Sequence, residues 1–512
     1  MLECFIVTFA LVGILTAVIY TFLAWNLSYW QKRGIKQAKS YALIGSFPNI
    51  FSQKQNIAYD IDEIYRANKS DDNFIGVLMM RTPKLLILNP VCVQKILVSD
   101  FKHFHDNEMS KSVDEKSDFI LANNPFVLTG EKWKERRVEI VPGLTANRIK
   151  VVYSITTDVC HRLTHYIREQ SKMSSSTGLG ADEFSSQLCL RYTSEVVSEC
   201  VLGIRANSLS DESTPIYANT KKIFSHTYIF RLYQLITGFF PAVQNFYKMR
   251  FFPKDVEEFF INLMQKTIDL RRKQNLDSGD IINYLLQLQE KRNLSTPELT
   301  SHAMTFLTDG FLTTATAISH CLLLLARHQN IQNMLRQEIT KNLDDKGNLS
   351  FETLSELPYL DACLHEALRI FSPILFNKKL CTSPCELVNK DGSILKVKTN
   401  DIIMIPTHSI HHDQSIYEEP EKFKPERFMP ENGGLKSYRE RGAYLAFGDG
   451  PRVCLGVRFA LTQSKAAIAE LIRNFIIKPN PKTRADNTLN RKSFFGSLEG
   501  GIWLDFEEIN SN

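Results

Sequence analysis

The chain has 512 residues, which is long enough for several domains or for one large core. Hydrophobic residues make up 44% and charged residues 23%, an ordinary globular composition that excludes a mainly disordered chain. The formal charge of +5 at pH 7 is too mild over this length to predict nucleic-acid binding. Ten cysteines are too few for a disulfide-stapled scaffold. Only Cys381 and Cys385 lie close together, and they lack further ligands at zinc spacing.

The first segment that departs from this average is residues 4–25, which contain no charged side chain. As a helix, this segment is roughly 33 Å long and can cross the hydrocarbon core of a membrane. A cleaved signal peptide or a buried helix is the alternative, but the acidic Glu3 precedes the segment where a signal peptide has basic residues. We therefore predict a single N-terminal transmembrane helix, with no comparable segment later. The body is expected on the cytoplasmic side because basic residues follow the helix, at Lys32, Arg33, Lys36 and Lys39.

After this segment, helical periodicity dominates, for example over residues 259–270 and 280–289. Strand-like segments are short and lie at residues 85–88, 394–397 and 402–405. Strands and helices do not alternate regularly, which argues against a doubly wound nucleotide-binding fold. We predict a mainly α fold with small β-sheets, of the α+β class. The polar residues 171–180 are expected to form a surface loop.

The sequence DGPRVCLG places Cys454 at the end of a glycine-rich loop. Gly448 and Gly450 predict a tight turn, and a helix-forming run begins near Leu455. Backbone N–H groups and the helix dipole at such a position favour a thiolate. A thiolate is a strong axial ligand for haem iron, and Arg452 can donate to a haem propionate. Taken alone, Cys454 reads more simply as a buried cysteine after a turn.

The wider pattern changes that interpretation. The sequence Phe447-x-x-Gly450-x-Arg452-x-Cys454-x-Gly456 resembles the haem-binding loop of the cytochrome P-450 family at each defining position. The resemblance covers essentially the whole chain and is closest to insect microsomal members. It implies the P-450 fold, with residues 31–512 forming one haem-thiolate catalytic domain after an anchor and the start of a linker at residues 1–30. It also implies iron protoporphyrin IX as cofactor, Cys454 as the metal ligand, and Phe447, Arg452 and Gly456 as cofactor-binding residues.

Two further positions are similar to the family's propionate-binding residues. The sequence WKERR resembles a Trp-x-x-x-Arg helix motif, in which Trp133 and Arg137 share one helix face and can donate to one propionate. An amphipathic surface helix is the alternative for this segment. Lys379 lies ten residues after Arg369, where the family often has a basic residue, and it supplies charge without a bidentate fork.

A third motif points to folding and not to catalysis. Glu366 and Arg369 match the family's Glu-x-x-Arg motif, and a spacing of three places them on one helix face. Such a pair is usually solvated, but the later sequence PERF, which contains Arg427, makes the set similar to the family's buried Glu–Arg–Arg network.

Residues 301–328 predict one long, mainly apolar helix. Within it, DGFLTT at residues 309–314 resembles the family's central motif of small residue, glycine, any residue, acid, threonine, then threonine or serine. The match departs twice, because Leu312 occupies the acid's position and Asp309 that of the small residue. In the family the acid and threonine help to deliver protons to bound oxygen. We predict that Asp309 and Thr313, one helical turn apart, share this role as catalytic residues. Alternatively, Asp309 forms only local hydrogen bonds and proton delivery is less efficient.

Three aromatic-rich segments match the family's variable substrate-contacting regions, at residues 101–126, 223–260 and 494–497. They favour a lipophilic substrate that enters from the membrane side, although aromatic residues at helical spacing more often form plain core. Residues 34–40 lack the proline-rich hinge of many microsomal relatives. We therefore expect the body to be oriented less rigidly on the membrane.

The resemblance implies a membrane-anchored monooxygenase that hydroxylates or epoxidises a lipophilic small molecule, such as a xenobiotic, a steroid or hormone, or a fatty-acid-like compound. The chain has no dinucleotide fingerprint, so electrons must come from NADPH through a separate NADPH–haemoprotein reductase, with cytochrome b5 as an optional second donor. The expected location is the endoplasmic reticulum membrane, with lipid contacts and no nucleic-acid partner. Two alternatives stay open: a haem-thiolate isomerase or dehydratase that acts on a peroxide, and a haem-binding carrier without turnover.

Overall fold

The computed structural model describes residues 2–173, 177–178, 187–210, 214–224, 228–274 and 280–509. Helices dominate these residues, and the short strands form three small sheets. The predicted class, mainly α with small β-sheets, is confirmed.

Helices and short strands occur in separate stretches of the chain, without regular alternation. The α-helices are α1 Leu2–Ala24, α2 Asn49–Ser52, α3 Ile57–Asn68, α4 Pro90–Gln94, α5 Phe119–Ala122, α6 Gly130–Ile140, α7 Ala146–Met173, α8 Gln187–Val197, α9 Pro215–Ile223, α10 Tyr228–Phe239, α11 Lys254–Gln274, α12 Ile281–Arg292, α13 Thr296–Arg327, α14 Gln329–Lys341, α15 Phe351–Glu356, α16 Pro358–Ile370, α17 Thr407–His411, α18 Gly434–Glu440 and α19 Val457–Asn474. The strands are β1 Phe74–Met79, β2 Thr82–Ile87, β3 Asp106–Asn107, β4 Thr177–Gly178, β5 Asn377–Leu380, β6 Cys385–Val388, β7 Ile394–Val397, β8 Ile402–Ile405, β9 Phe475–Pro479 and β10 Trp503–Glu508. Short 3₁₀ or π turns connect them at Gln31–Arg33, Lys95–Ser99, Phe101–His103, Glu108–Ser112, Val141–Leu144, Ser198–Leu202, Pro241–Asn245, Pro425–Phe428, Pro430–Asn432 and Gly450–Arg452.

The largest sheet has the strand order β1-β2-β8-β5-β3 and joins distant parts of the chain. Strand β8 pairs in parallel with β2 and antiparallel with β5. Strand β3 pairs antiparallel with β5, which places Asn107 opposite Lys379. The other sheets have the orders β4-β10-β9 and β6-β7. Part of the predicted loop at residues 171–180 lies outside the described residues, and the rest forms the end of α7 and strand β4.

Helix α13 is the central helix of the fold and packs against α8, α16 and α19. It begins at Thr296, five residues before the predicted start, because Ser295 and Glu298 form a reciprocal capping box around a polar first turn. Its length and composition would also allow it to cross a membrane, but most of it is buried inside the protein. The expectation that no later segment is long and apolar enough to span a membrane was therefore wrong. The burial of α13 identifies it as a core helix.

Helix α1 has the exposed apolar surface of a candidate membrane span, with a mean hydropathy of 2.4 over Phe5–Ala24. The chain that follows it is held firmly against the body. The Trp30 indole is buried and donates to the Val77 carbonyl, and the Arg33 guanidinium binds the Asp401 carboxylate at 2.9 Å. A buried aromatic side chain and an ion pair thus join this segment to the body. The expectation that the body is oriented less rigidly on the membrane stays a prediction.

Candidate active site

The loop that presents Cys454 owes its shape to its glycines. Gly450 has a φ of +68°, and a Cβ at this position would lie 1.8 Å from the carbonyl oxygen of Leu97. Gly448 also has a positive φ, +71°, but faces open space. The Cys454 N–H donates to the Phe447 carbonyl at 2.9 Å, which closes the loop just before α19. The predicted arrangement of glycine-rich loop, cysteine and helix is confirmed.

Opposing effects act on the pKa of the Cys454 thiol. A backbone hydrogen bond from Gly456 and the nearby Arg137 guanidinium both favour the thiolate. Burial outweighs them and raises the pKa of Cys454 to about 11. The backbone group thus acts in the expected direction, but in the protein by itself desolvation disfavours the anion more than the backbone group stabilises it. A coordinated metal cation reverses this balance and deprotonates a thiol outright.

Cys454 and the centre of α13 face the same internal space. Cys454 is exposed to solvent, although it lies deep enough for burial to govern its pKa. The Asp309 side chain also has accessible surface. It nevertheless lies deep within the protein, and this burial raises the pKa of its carboxyl to about 6. The charge of Asp309 acts on the Cys454 thiol, so the two residues lie near each other. The loop and the helix are thus the two walls of one internal site.

The four residues predicted to bind propionates lie together beside this space. Trp133 is buried, with the Arg452 guanidinium 4.3 Å and the Arg137 guanidinium 6.0 Å from its ring centroid. Arg137 donates to the Val453 carbonyl at 3.1 Å, next to the cysteine. Arg452 also lowers the pKa of Lys379, which places the lysine in the same cluster.

Asp106 is a member of this cluster that sequence reasoning missed. Its carboxylate accepts from Arg452 at 3.1 Å and from the Gly130 N–H at 3.1 Å. Asp106 and Arg452 are 346 positions apart, and no motif spacing connects them. Only its place in β3, beside Lys379 on β5, brings this carboxylate to the arginine.

The cluster carries more positive charge than its one carboxylate offsets. Burial lowers the pKa of Lys379 to about 7 and that of Arg452 to about 10. The Lys379 ammonium donates to Asn107 at 2.9 Å, and the buried Arg452 Nε has no hydrogen-bond partner within the described part of the chain. A thiol on one wall and surplus buried cations at the edge match a metal porphyrin with two carboxylates, so these residues fit haem.

The predicted folding network is present on α16. Glu366 and Arg369 are fully buried and form two hydrogen bonds, at 2.7 and 2.9 Å. Arg427 reaches the same carboxylate at 3.1 Å. Arg369 also donates to the His411 carbonyl, and the His411 ring accepts from the Leu445 N–H, just before the cysteine loop. The network therefore supports the haem-side loop without facing the internal space.

Asp309 and Thr313 lie one turn apart on α13, but their side chains are not hydrogen-bonded to each other. The Thr313 hydroxyl donates to the Asp309 backbone carbonyl at 2.6 Å. The Asp309 carboxylate accepts instead from the Asn124 amide at 3.3 Å and the Thr308 hydroxyl at 3.2 Å. Asn124 is a second residue that sequence reasoning missed, because nothing in its segment indicates a contact to α13.

Two of the predicted substrate-contacting segments meet on α13. The Phe224 ring stacks on Phe311 at 6.0 Å and contacts Phe495 edge-on at 6.4 Å. Phe311 and Phe224 are buried, so these rings form plain core at this point. Cys381 and Cys385 belong to no group of three or more potential metal ligands in the ranges that the structure describes.

Comparison with known proteins identifies the family. The sequence profile described as Cytochrome P450 matches residues 41–503. The chain is 52% identical over 501 residues to "Probable cytochrome P450 28d1" of Drosophila melanogaster, covering 98% of each chain. It is 48% identical to "Probable cytochrome P450 28d2" of the same species (95% and 96% covered) and 29% identical to "Cytochrome P450 6j1" of Blattella germanica (96% of each). The family uses haem with a cysteine thiolate ligand and electrons from a redox partner. The chain therefore belongs to the cytochrome P450 family and is a monooxygenase.

Proposed function

We propose that this monooxygenase is anchored in the endoplasmic reticulum membrane and hydroxylates or epoxidises a lipophilic small molecule, with electrons from an NADPH–haemoprotein reductase. The observation that carries the proposal is the shared internal space of Cys454 and Asp309, with the cation cluster beside it. Cytochrome b5 is a second electron donor in this proposal. The substrate class, a xenobiotic, hormone or fatty-acid-like compound, follows from the resemblance alone.

In this proposal, different residues bind different parts of the haem. Cys454 is the iron ligand, and its loop is closed by the Phe447 carbonyl and by the Gly456 N–H. Trp133, Arg137, Lys379 and Arg452 hold the propionates, with Asp106 fixing the Arg452 guanidinium. When bound, the haem supplies the activation of O₂.

We assign Asp309 and Thr313 to proton delivery on the opposite wall. Because the Thr313 hydroxyl proton is committed to the Asp309 carbonyl, the hydroxyl oxygen is left as an acceptor toward the internal space. The Asp309 carboxyl, with its pKa raised to about 6, exchanges its proton near neutral pH. A water between the two side chains would complete the path, since they do not bond directly.

The proposed membrane orientation rests on apolar side chains beside α1 and on α10. The Phe22 ring stacks on Phe240 at 5.1 Å, and Phe51 stacks on Phe239 at 5.9 Å. Helix α10 and the chain after it expose further apolar side chains, at Ile229, Leu232, Leu235, Ile236, Phe246 and Tyr247. Lipid on this surface would lie beside residues 223–260, one of the aromatic-rich segments that we propose for substrate contact. In this proposal residues 1–30 are the single anchor with the start of a linker, and residues 31–512 are one cytoplasmic catalytic domain.

Two measurements on the full-length protein test the function. A Soret band near 450 nm for the reduced carbon-monoxide complex is expected from thiolate ligation. NADPH consumption with the reductase, stimulated by members of a lipophilic compound panel, is expected from a monooxygenase. Rearrangement of a peroxide without reductase would instead favour the isomerase, and a 450 nm band without any turnover would favour the carrier.

A further inference from the structure

Asp118 is a buried carboxylate that is held by backbone groups from two distant segments. One oxygen accepts from the Leu121 N–H at 3.0 Å. The other accepts from the Phe251 N–H at 2.9 Å and the Phe252 N–H at 2.7 Å. No basic side chain within the described ranges lies at salt-bridge distance from it, and burial raises its pKa. A buried acid without a cation depends on such N–H donors, so these three bonds fix its position.

The two segments joined by Asp118 are the ones predicted to lie around the substrate. Asp118 caps α5, within residues 101–126, whereas Phe251 and Phe252 immediately precede α11, within residues 223–260. The Lys248 ammonium makes a second, outer contact between them, to the Val113 carbonyl at 3.4 Å. The start of α11 is thereby fastened to α5 by one buried side chain.

Helix α5 connects this contact to the centre of α13. It is a single turn, Phe119–Ala122, with its last three residues buried, and Asn124 follows two positions after its end. The Asn124 amide nitrogen donates to the Asp309 carboxylate at 3.3 Å, while the Asn124 amide oxygen accepts from the Phe126 N–H at 2.7 Å. A packed single turn leaves little freedom between its cap and the next residues, so movement at Asp118 reaches Asn124.

We propose that Asp118 is a positioning residue that fastens the start of α11 to α5, which closes one side of the internal site and holds Asn124 against Asp309. The part that concerns Asp309 rests on the proposed function. The fastening itself stands on the hydrogen bonds of Asp118 and is independent of what Asp309 does.

Three variants separate this role from simple helix capping. Asp118→Ser keeps a hydroxyl that can cap α5 but is too short to reach Phe251 and Phe252. Asp118→Asn keeps the side-chain length and one carbonyl oxygen, so it should give an intermediate result. Glu115→Gln is the control, because Glu115 is an exposed residue of the same segment that faces Lys132 at 3.6 Å.

The first measurement concerns the fastening. In the full-length haem protein, amide hydrogen exchange of peptides that contain Phe251 and Phe252 should be at least tenfold faster in Asp118→Ser. The association rate of the bulky azole clotrimazole, followed by the Soret shift, should rise severalfold, while that of imidazole changes less than twofold. Exchange and clotrimazole rates equal to those of Glu115→Gln would overturn the proposal. If Asp118→Ser does not retain haem, the same comparison is made with Asp118→Asn.

The second measurement concerns the link to Asp309. With reductase, Asp118→Ser should release more peroxide per NADPH consumed, and it should add nothing further in an Asp309→Asn background. If Asp309→Asn alone changes peroxide release but Asp118→Ser does not, the link is wrong and the proposed function stands. If Asp309→Asn has no effect while Asp118→Ser still speeds clotrimazole binding, the role of Asp309 is wrong and the fastening stands.

Discussion

The chemistry of individual residues at this site is set by burial as much as by neighbouring groups. Burial raises the pKa of Cys454 to about 11 and lowers that of Lys379 to about 7. In the protein without a cofactor, burial thus favours the neutral form of both side chains. An iron cation would favour the Cys454 thiolate, and two propionates would favour the Lys379 ammonium, because each brings the opposite charge to a desolvated group. The residues are therefore suited to a charged cofactor more than to one another.

Gly450→Ala tests the shape of the cysteine loop. An alanine Cβ would overlap the Leu97 carbonyl oxygen, so the backbone must move, and we expect the variant to lose most of its 450 nm band. The matched control is Gly448→Ala, which has a similar positive φ but open space around the Cβ. It should cost only about 1–2 kcal/mol of unfolding free energy and keep the band. Equal loss of haem in both variants would contradict the argument.

Asp309→Asn tests proton delivery. The amide keeps the shape of the side chain but cannot exchange a proton, so a larger share of the consumed NADPH should end as hydrogen peroxide and less as product. The effect should be largest at and below about pH 6, where the protonated carboxyl form is populated, and should diminish as the pH rises. The measurement is peroxide formed per NADPH consumed in the reconstituted system. Unchanged coupling across this pH range would remove the carboxylate from the mechanism and leave Thr313 alone.

At the scale of elements, the site is made by three parts that meet from distant places in the chain. The cysteine loop leads into α19, the residues that we propose for proton delivery lie on α13, and the cations come from α6, β5 and the loop itself. Helix α16 connects to the cysteine loop through Arg369, which binds Glu366 and donates to the His411 carbonyl. The His411 ring in turn accepts from the Leu445 N–H. The buried ion network is thus the connection between the helical core and the loop.

Glu366→Gln tests this connection. Removal of one negative charge leaves two buried guanidinium groups without their partner, which should cost about 3–5 kcal/mol of unfolding free energy. The control, Glu440→Gln, breaks an exposed pair with Lys436 and should change stability by less than about 0.5 kcal/mol. Urea unfolding of the full chain in detergent measures both. A similar small change in both variants would show that the network is replaceable.

At the scale of the whole molecule, buried neutral histidines make the fold sensitive to acid. Burial lowers the pKa of His320 and His411 to about 3 and that of His408 to about 4. The unfolded chain binds protons at these positions below about pH 6.5, whereas the folded chain does not. Their contribution to stability is therefore intact above that pH and is lost progressively as the pH falls toward the folded-state values.

His411→Asn tests the acid sensitivity. As the pH is lowered from 6 to 4.5, the unfolding free energy of the parent should decrease. The slope of unfolding free energy against pH should be smaller in the variant by about 1.4 kcal/mol per pH unit. The measurement is urea unfolding across this range. His161→Asn, the same substitution at an exposed position, is the control. A His411→Asn slope equal to the parent's would contradict the assignment of a neutral buried ring.

Much of the fold was predictable where local pattern decides the structure. The strands Ile394–Val397 and Ile402–Ile405 were predicted to the residue, since both are short apolar segments bounded by turns. The start of α13 was missed because its first turn is polar and is held by a capping box. The burial of Trp30 was not predicted, because its side chain carries no local sign of the surface that covers it.

The sequence by itself determined the family, the cysteine that we propose as the iron ligand and the helix face shared by Asp309 and Thr313, because these depend on motifs and on spacing along one element. Only the tertiary structure decided that Asp106 pairs with Arg452, that Asn124 contacts Asp309, and that burial raises the pKa of Cys454. The physical reason is that desolvation and long-range pairing depend on which surfaces the whole fold brings together. Neither quantity has a signature in the order of residues along the chain.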